Sequence, residues 1–458
     1  MKKAFILLSL CLLTSCGSRE KPVSPSAILI ANTTILDVRD GSLSEPRQVV
    51  IDSGTIRLIS PTVPDPEAYS KVIDGRGKYL MPGLAEMHAH IPSPPVGRER
   101  VEETLFLYLS NGVTTIRGML GHPSHLELRR QVEDGAVIGP RIITSSPSFN
   151  GNTVPSAHVA DSLVRAYAAD GYDFLKIHPG VQLQPFDTLV AAAREVGIPF
   201  SGHVPVAVGI RHALESRYAS IDHVDGFLEG LVPASAGVSP DDNGFFGYNF
   251  TPLADSSAIA DLVAMDKKNK VWVVPTQSLF ERWFAPVTAE TLLKDPEMVY
   301  MPASTLENWK KVKLETTGPE TGFNPGQWNT FIELRRKLIK ALQKDGQGLL
   351  LGSDAPQLFN VPGFSLHHEI QAMENAGLLP LEILQAGTIN PALFFGMEDH
   401  FGYIAEGMSA DLMLLHGNPL EDLNALKNPA GVMAKGHWLD RETIDAKLKE
   451  IAEHAATQ

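Results

Sequence analysis

Residues 80–91 read LMPGLAEMHAHI, an apolar run that closes on His88 and His90. On a β-strand successive side chains point to opposite faces, so His88 and His90 share one face while Met87 and Ala89 share the other. Two imidazoles on one face, where a strand ends, can begin a metal site. A lone pair of this kind is as readily a chance feature of a loop. The other ligands must come from elsewhere in the chain, and their placement decides the fold.

Beyond Pro82-Gly83, strand-like runs alternate with amphipathic helical stretches. GLAEMHAH is followed by TTIRG (114–118), RIITSS (141–146), YDFLKIH (172–178), IPFSGHV (198–204), ASIDHV (219–224), VWVVPT (271–276) and GLLLGSD (348–354). Helical stretches such as 161–171, 187–197 and 332–346 fit between them. Eight such units predict a parallel (β/α)8 barrel of the TIM type over 81–397, with its chemistry at the carboxyl ends of the strands. Residues 27–80 read instead as short strands and turns: AILIANTTILDV, RQVVIDSGTIRLIS and KVIDGRGKYL. Strand-and-turn patterning returns in 398–445. The two ends together predict one small β-sandwich domain beside the barrel. Residues 278–325 lack the strand–helix rhythm and hold Phe280, Trp283, Phe284, Tyr300, Trp309 and Phe323. This aromatic insertion reads equally as a lid over the site and as a packing flap or partner surface.

The strand ends carry a constellation: His88 and His90 on the first, Lys176 on the fourth, His203 on the fifth, His223 on the sixth and Asp354 on the eighth. Each histidine alone is more often a hydrogen-bonded structural group than a ligand. Four of them with one aspartate at a single barrel face are harder to set aside. Lys176 points inward from a central strand and must bury an ammonium, which is costly. It either snorkels to the barrel mouth or reacts with carbon dioxide to give an anionic carbamate able to bridge two metals. The neighbouring histidines favour the carbamate. Arg117 and His178 also project from strand ends, as substrate contacts or as braces. His367 and His368 suit a structural role in a late helix, and His122, His125 and His158 receive no role.

The 458 residues are 43% hydrophobic and 20% charged, ordinary globular values that suit a large barrel plus a small domain. A formal charge of −14 argues against a nucleic-acid partner. MKKAFILLSLCLLTSC (1–16) reads as an export signal, since its apolar run is far shorter than the about 20 residues of a membrane span. Leu13-Thr14-Ser15-Cys16 is similar to a bacterial lipobox. It implies a lipidated Cys16, a flexible tether over 17–26, and a membrane anchor in the bacterial cell envelope, facing the periplasm. Gly17 after the cysteine favours the outer membrane. Cys11 would leave with the signal, so no disulfide is expected.

MPGLAEMHAH, NGVTTIRG, GYDFLKIH, GTINPALFFG and GYIAEGMSADLMLL, with the order His-x-His, Lys, His, His, Asp, resemble the amidohydrolase superfamily. The nearest branch is the binuclear one with a carboxylated lysine, in the group of imidazolonepropionase-related proteins and metal-dependent prolidases. The resemblance runs from about Ala27 to Leu439. It implies that His88, His90 and Asp354 hold a first divalent ion, that His203 and His223 hold a second, and that carboxylated Lys176 bridges them. Zinc is the first expectation, although the same donors suit manganese, iron and nickel. Two such ions about 3.5–4 Å apart would generate a hydroxide near neutral pH, with Asp354 as the catalytic proton carrier. Arg117 is followed by Gly118, where many relatives have an aspartate, and this clouds any inherited substrate. Lys176 argues against imidazolonepropionase activity.

These readings imply an enzyme that hydrolyses an amide in a small molecule, a dipeptide or an N-acyl amino acid. A deaminase or a lactone or cyclic-amide hydrolase could use the same site, and a non-catalytic surface binding protein is the reading from another class. Assembly into a homo-oligomer is left open.

Overall fold

The computed structural model describes residues 24–63, 65 and 68–458. The export signal, Cys16 and residues 17–23 of the tether lie outside the described residues. The remaining end of the tether is docked: Ser24 donates from its backbone N–H and its hydroxyl to the Asp52 carboxylate, at 3.1 and 2.7 Å. No helix among the described residues is long and apolar enough to cross a membrane.

The chain opens with β1 (Ile28–Asp37), β2 (Ser42–Leu43), β3 (Arg47–Asp52), β4 (Thr55–Ser60), β5 (Lys71–Asp74) and β6 (Tyr79–Pro82). The first half of β1 pairs with β3 and β5, and its second half pairs with β6 and β2. The strands β7 (Leu84–Ala89), β8 (Val113–Gly118), β9 (Arg141–Phe149), β10 (Phe174–Ile177), β11 (Phe200–Gly202), β12 (Ser220–Asp222) and β13 (Trp272–Val274) then form a separate parallel sheet in chain order. Near the C-terminus β14 (Leu412–Leu415), β15 (Gly431–Ala434) and β16 (His437–Asp440) return to the first sheet, where β14 lies antiparallel to β6. One apolar cluster draws Ile30, Val49 and Ile56 together with Leu80, Leu412 and Met433. Both chain ends therefore contribute to one core.

The parallel sheet is nearly closed. Residues 348–355 run between its two edges without forming a regular strand. Leu350 N–H donates to Val273 O on one side; on the other, Met87 N–H donates to Leu351 O and His90 N–H to Ala355 O. The expected eighth strand is thus an extended segment with isolated bridges. Its backbone is broken at Gly348 (φ 133°) and Asp354 (φ 66°), conformations no regular strand accommodates. Gly352 is required by contact, since a Cβ there would lie 2.7 Å from the His88 backbone nitrogen.

Helices cover the outside of the sheet and obey ordinary capping. Ser156 caps Ala157–Asp170 by accepting from Val159 N–H, and Gly171 ends that helix in the left-handed region. Asn324 caps the long helix Pro325–Asp345, which starts with proline and buries Phe331, Leu334, Leu338 and Leu342 along one stripe.

One region takes up one of the two roles the sequence left open, and another runs past its expected end. The insertion 278–325 is largely helical, with Ala303–Thr317 its longest element, and Phe280, Trp283, Phe284 and Trp309 are buried in the main core. Its aromatics therefore serve packing. The ring over the strand ends is Phe246, from the connection after β12. At the C-terminus a helix, Arg441–Ala455, follows β16 and runs past the expected boundary at 445, with Ile444, Leu448 and Ile451 buried.

Candidate metal centre

The strand ends gather their polar side chains into one buried cluster. His88, on β7, is 1% exposed, and His90 follows one residue after the strand. Asp354 Oδ1 lies 2.6 Å from His90 Nε2 and 3.3 Å from His88 Nε2. These three residues offer donor atoms all within 4.8 Å of one another, a spacing one metal ion can span. The His88 ring sits 4.6 Å from that of His223, and His223 sits 4.6 Å from His203. His178 stacks on the far side of His203 at 5.2 Å. The histidines form a continuous arc across the sheet end.

Each arm of this arc is braced from behind. His203, one residue past β11, has its Nδ1 3.0 Å from Asp225 Oδ2. His223, one residue past β12, has its Nδ1 2.7 Å from Thr276 Oγ1. With Nδ1 engaged in both rings, Nε2 is the nitrogen left without a hydrogen bond in each. The backbones of His223, Thr276 and Asp354 all adopt positive φ (64°, 44° and 66°). Non-glycine residues rarely do so, and such strain concentrates where side-chain aim matters.

Lys176 lies on β10, fully buried, with its Nζ 3.5 Å from Asp222 Oδ2. Gly202 makes room for it: a Cβ there would meet Ile177 O at 2.2 Å and the Lys176 side chain at 3.1 Å. Asp222 Oδ2 also lies 3.3 Å from His88 Nδ1. His88 Nδ1, Lys176 Nζ and Asp222 Oδ2 are all buried and make no hydrogen bond. Buried polar atoms are normally hydrogen-bonded; these three have only the ion-pair contacts of Asp222 Oδ2 with the other two, which leaves bonding capacity for a further group. A cationic ligand fits the donor set of imidazoles and carboxylates.

The electrostatics agree with that assignment. Burial, with the neighbouring cation-forming groups, holds His88 and His223 well below the usual histidine range. Both are therefore neutral, the form that binds metal. Burial pulls Lys176 below the ordinary lysine range against the opposing pull of Asp222 and Asp354. Burial alone would raise Asp222; Arg117 and Lys176 outweigh it and hold the carboxyl below its usual range. His178 is pushed down to about 2, chiefly by burial, while its Nδ1 sits 2.7 Å from Ser148 Oγ.

All six residues expected as metal ligands are thus brought together, and His178 borders them. Arg117 is a correction. It is 0% exposed and each guanidinium nitrogen donates within the protein: Nε to Met87 O at 2.6 Å, Nη1 to Ser220 Oγ at 2.8 Å and Nη2 to Asp222 Oδ1 at 2.9 Å. Buried completely and paired with Asp222, it is placed to fix that carboxylate rather than to meet a substrate. Asp222 and Glu86 escaped the sequence reading, as did the braces Asp225 and Thr276. Asp222 precedes His223 in ASIDHV. Glu86, two before His88 and on its face, accepts from Ser353 N–H, Ser353 Oγ and His88 N–H and so ties β7 to the Asp354 segment. An acidic residue beside or two before a strand-end histidine was the available signal for both.

The model of the amidohydrolase family matches residues 79–439. Ochratoxinase from Aspergillus niger is 23% identical over 427 residues, covering 86% of this chain and 82% of the relative. Among solved structures, bottromycin amidohydrolase superposes with a TM-score of 0.71 at 24% identity, covering 93% of this chain and 90% of that one. A Xaa-Pro dipeptidase with methionine bound in its active site gives 0.62 at 20% identity, covering 91% and 100%. At these identities the structural likeness shows a shared fold.

Proposed function

The chain belongs to the amidohydrolase family, and from that premise we propose that it cleaves an amide joined to an amino acid or similar small acid, as in a dipeptide or an N-acyl amino acid. It is a hydrolase of carbon–nitrogen bonds, and its substrates are small molecules. Similar proteins bear the names of an amidohydrolase and a dipeptidase, which supports the amide. In the same reading, residues 348–355 are the eighth stave of a (β/α)8 barrel. The two halves sharing β1 pack as a small sandwich over 27–80 and 398–445.

The observation that carries the proposal is the trio of buried atoms without a hydrogen bond, His88 Nδ1, Lys176 Nζ and Asp222 Oδ2, beside the histidine arc. His88, His90 and Asp354 would hold one divalent ion, His203 and His223 a second, and Lys176 as its carbamate would lie between them. Zinc suits these donors best. Bound there, the ions would polarise the scissile carbonyl and acidify water.

The chain's own groups then have separate tasks. Asp225, which only accepts, holds His203 with its proton on Nδ1, and Thr276 fixes the orientation of the His223 ring. Asp354 Oδ2, which accepts from Gln357 Nε2 at 3.3 Å, takes the proton of the attacking water and delivers it to the leaving nitrogen. Arg117 balances Asp222, so the charge beside Lys176 is already compensated. His178 stands where it can touch substrate.

Purified protein with its metal, assayed on a panel of dipeptides and N-acyl amino acids, tests the reading. Turnover of these amides is the expected result. Release of ammonia from purines or opening of lactones, with the amides untouched, would replace it by the deaminase or lactonase reading. No turnover and no metal would leave a binding protein.

We further propose that the chain is an envelope lipoprotein anchored at Cys16, with stable attachment needing the several acyl chains such proteins carry. Cys16→Ser should release it from membranes without loss of activity, and a soluble, unlipidated wild type would reject the anchor.

A further inference from the structure

We infer that Phe246 is a specificity-determining residue, whose ring selects substrates carrying a planar aromatic group over the His203 and His223 side of the site. The inference rests on the amide-hydrolase reading for the identity of the reaction, though not for the placement of the ring.

Phe246 belongs to the turn Gly244-Phe245-Phe246-Gly247, in the connection between β12 and β13. Its ring centroid lies 5.8 Å from His203 and 5.4 Å from His223. No other phenylalanine or tryptophan among the described residues makes a ring contact with those two histidines. Unlike Phe280, Trp283 and Phe284, it is only partly buried. On its other side it meets Phe245 at 4.6 Å and Phe280 at 5.1 Å, both edge-to-face.

The backbone shows that this position is built. Phe246 has φ 50° and ψ 44°, the left-handed region that a bulky residue enters only at a cost. Its neighbours Gly244 and Gly247 absorb the rest of the reversal, with φ of 70° and 79°. A Cβ on Gly247 would meet the Leu228 side chain at 2.8 Å, so the turn is pressed onto the segment that follows β12.

The turn is also tied on both flanks. Asn243 Nδ2 donates to Glu229 Oε1 at 2.8 Å, and Asn249 N–H donates to Asn243 O at 3.0 Å. Tyr248 OH donates to Asn324 O at 2.9 Å, and Gln327 Nε2 donates to Tyr248 O at 2.7 Å. The turn is therefore fixed before substrate arrives, and an aromatic wall held in this way costs no ordering on binding. Against it, a flat π-surface gains offset or edge-to-face contact that an alkyl group of smaller area cannot match.

Two measurements test this. The first is the ratio of kcat/KM for the N-benzoyl and N-acetyl forms of one amino acid. The second, independent of turnover, is the ratio of affinities for benzohydroxamate and acetohydroxamate, titrated by calorimetry into the metal-containing protein. Wild type should prefer the aromatic member about tenfold or more in both. Phe246→Ala should reduce each ratio to below about threefold, and Phe246→Trp should keep it. A wild-type ratio near one overturns the inference. So does a Phe246→Ala ratio equal to wild type, or an equal loss for both members of a pair, which would mark the ring as a packing element only. If the hydroxamate ratios behave as expected but no amide is cleaved, the amide reading alone falls.

Discussion

Asp222 Oδ2 lies 3.5 Å from Lys176 Nζ in the interior of the parallel sheet, and the other Asp222 oxygen receives Arg117 Nη2 at 2.9 Å. One buried carboxylate thus stands between two basic groups contributed by β8 and β10. The arrangement bears on whether Lys176 can become an anion. A carbamate on Lys176 would face Asp222 charge to charge unless something offsets it. Arg117 supplies one positive charge at fixed distance, and two divalent ions would supply the rest. The pairing accordingly lets Lys176 lose its own positive charge without leaving Asp222 uncompensated.

Arg117 is therefore expected to act on stability and on the metal site rather than on substrate choice. Removing one partner of a buried ion pair costs about 3–5 kcal/mol, because the other charge remains buried and unpaired. Arg117→Met should lower the denaturation midpoint by a corresponding amount. It should not change the preference for substrates with a free carboxylate over their carboxamides. A selective rise of KM for the acids would return Arg117 to the substrate pocket.

Asp354→Asn separates position from proton transfer. Asparagine tolerates the left-handed backbone that Asp354 adopts, so the segment should keep its course. It cannot take up a proton. The expected loss in kcat is on the order of 10²–10⁴-fold, with the fold intact by circular dichroism. Near-wild-type turnover would remove Asp354 from the chemistry.

Much of this site was legible because strand alternation and strand ends are local properties. His88 and His90 share a face by spacing alone, His203, His223 and Asp354 each close a recognisable apolar run, and Lys176 stands within one. What could not be read depends on partners distant in the chain. Arg117 looked free at the end of TTIRG, yet it is consumed by Asp222, 105 residues later. Glu86 gains its role only because Ser353 is bonded to it across the closing seam. The eighth run, GLLLGSD, has the composition of a strand, but Gly348 and Asp354 take backbone angles that interrupt one. Phe246 gave no signal at all, since its importance comes from a turn geometry in a long connection.

A pH effect on stability is expected away from the site. Asp266, in the helix Ile259–Asn269, is buried; its Oδ2 accepts from Gln347 N–H at 2.8 Å and its Oδ1 has no partner. Burial raises this carboxyl from 3.8 to about 7. The folded state then binds the proton more tightly than the unfolded one. Its contribution is most favourable below about pH 4, is lost as pH rises toward 7, and leaves a full penalty above that, on the order of 4 kcal/mol. Asp266→Asn keeps an acceptor for Gln347 and carries no charge. It should be more stable than wild type at pH 8, with the difference shrinking toward pH 5 in chemical denaturation. A difference independent of pH, or a less stable variant at pH 8, would show that Asp266 does not titrate in this way.

The central claim is a two-metal centre joined through Lys176. Elemental analysis of the purified protein and of Lys176→Ala, prepared side by side with carbon dioxide present, addresses it most directly. The account predicts close to two divalent ions per chain in the wild type and no more than one in the variant, with loss of turnover. One ion per chain in both proteins, or two in both, would contradict it.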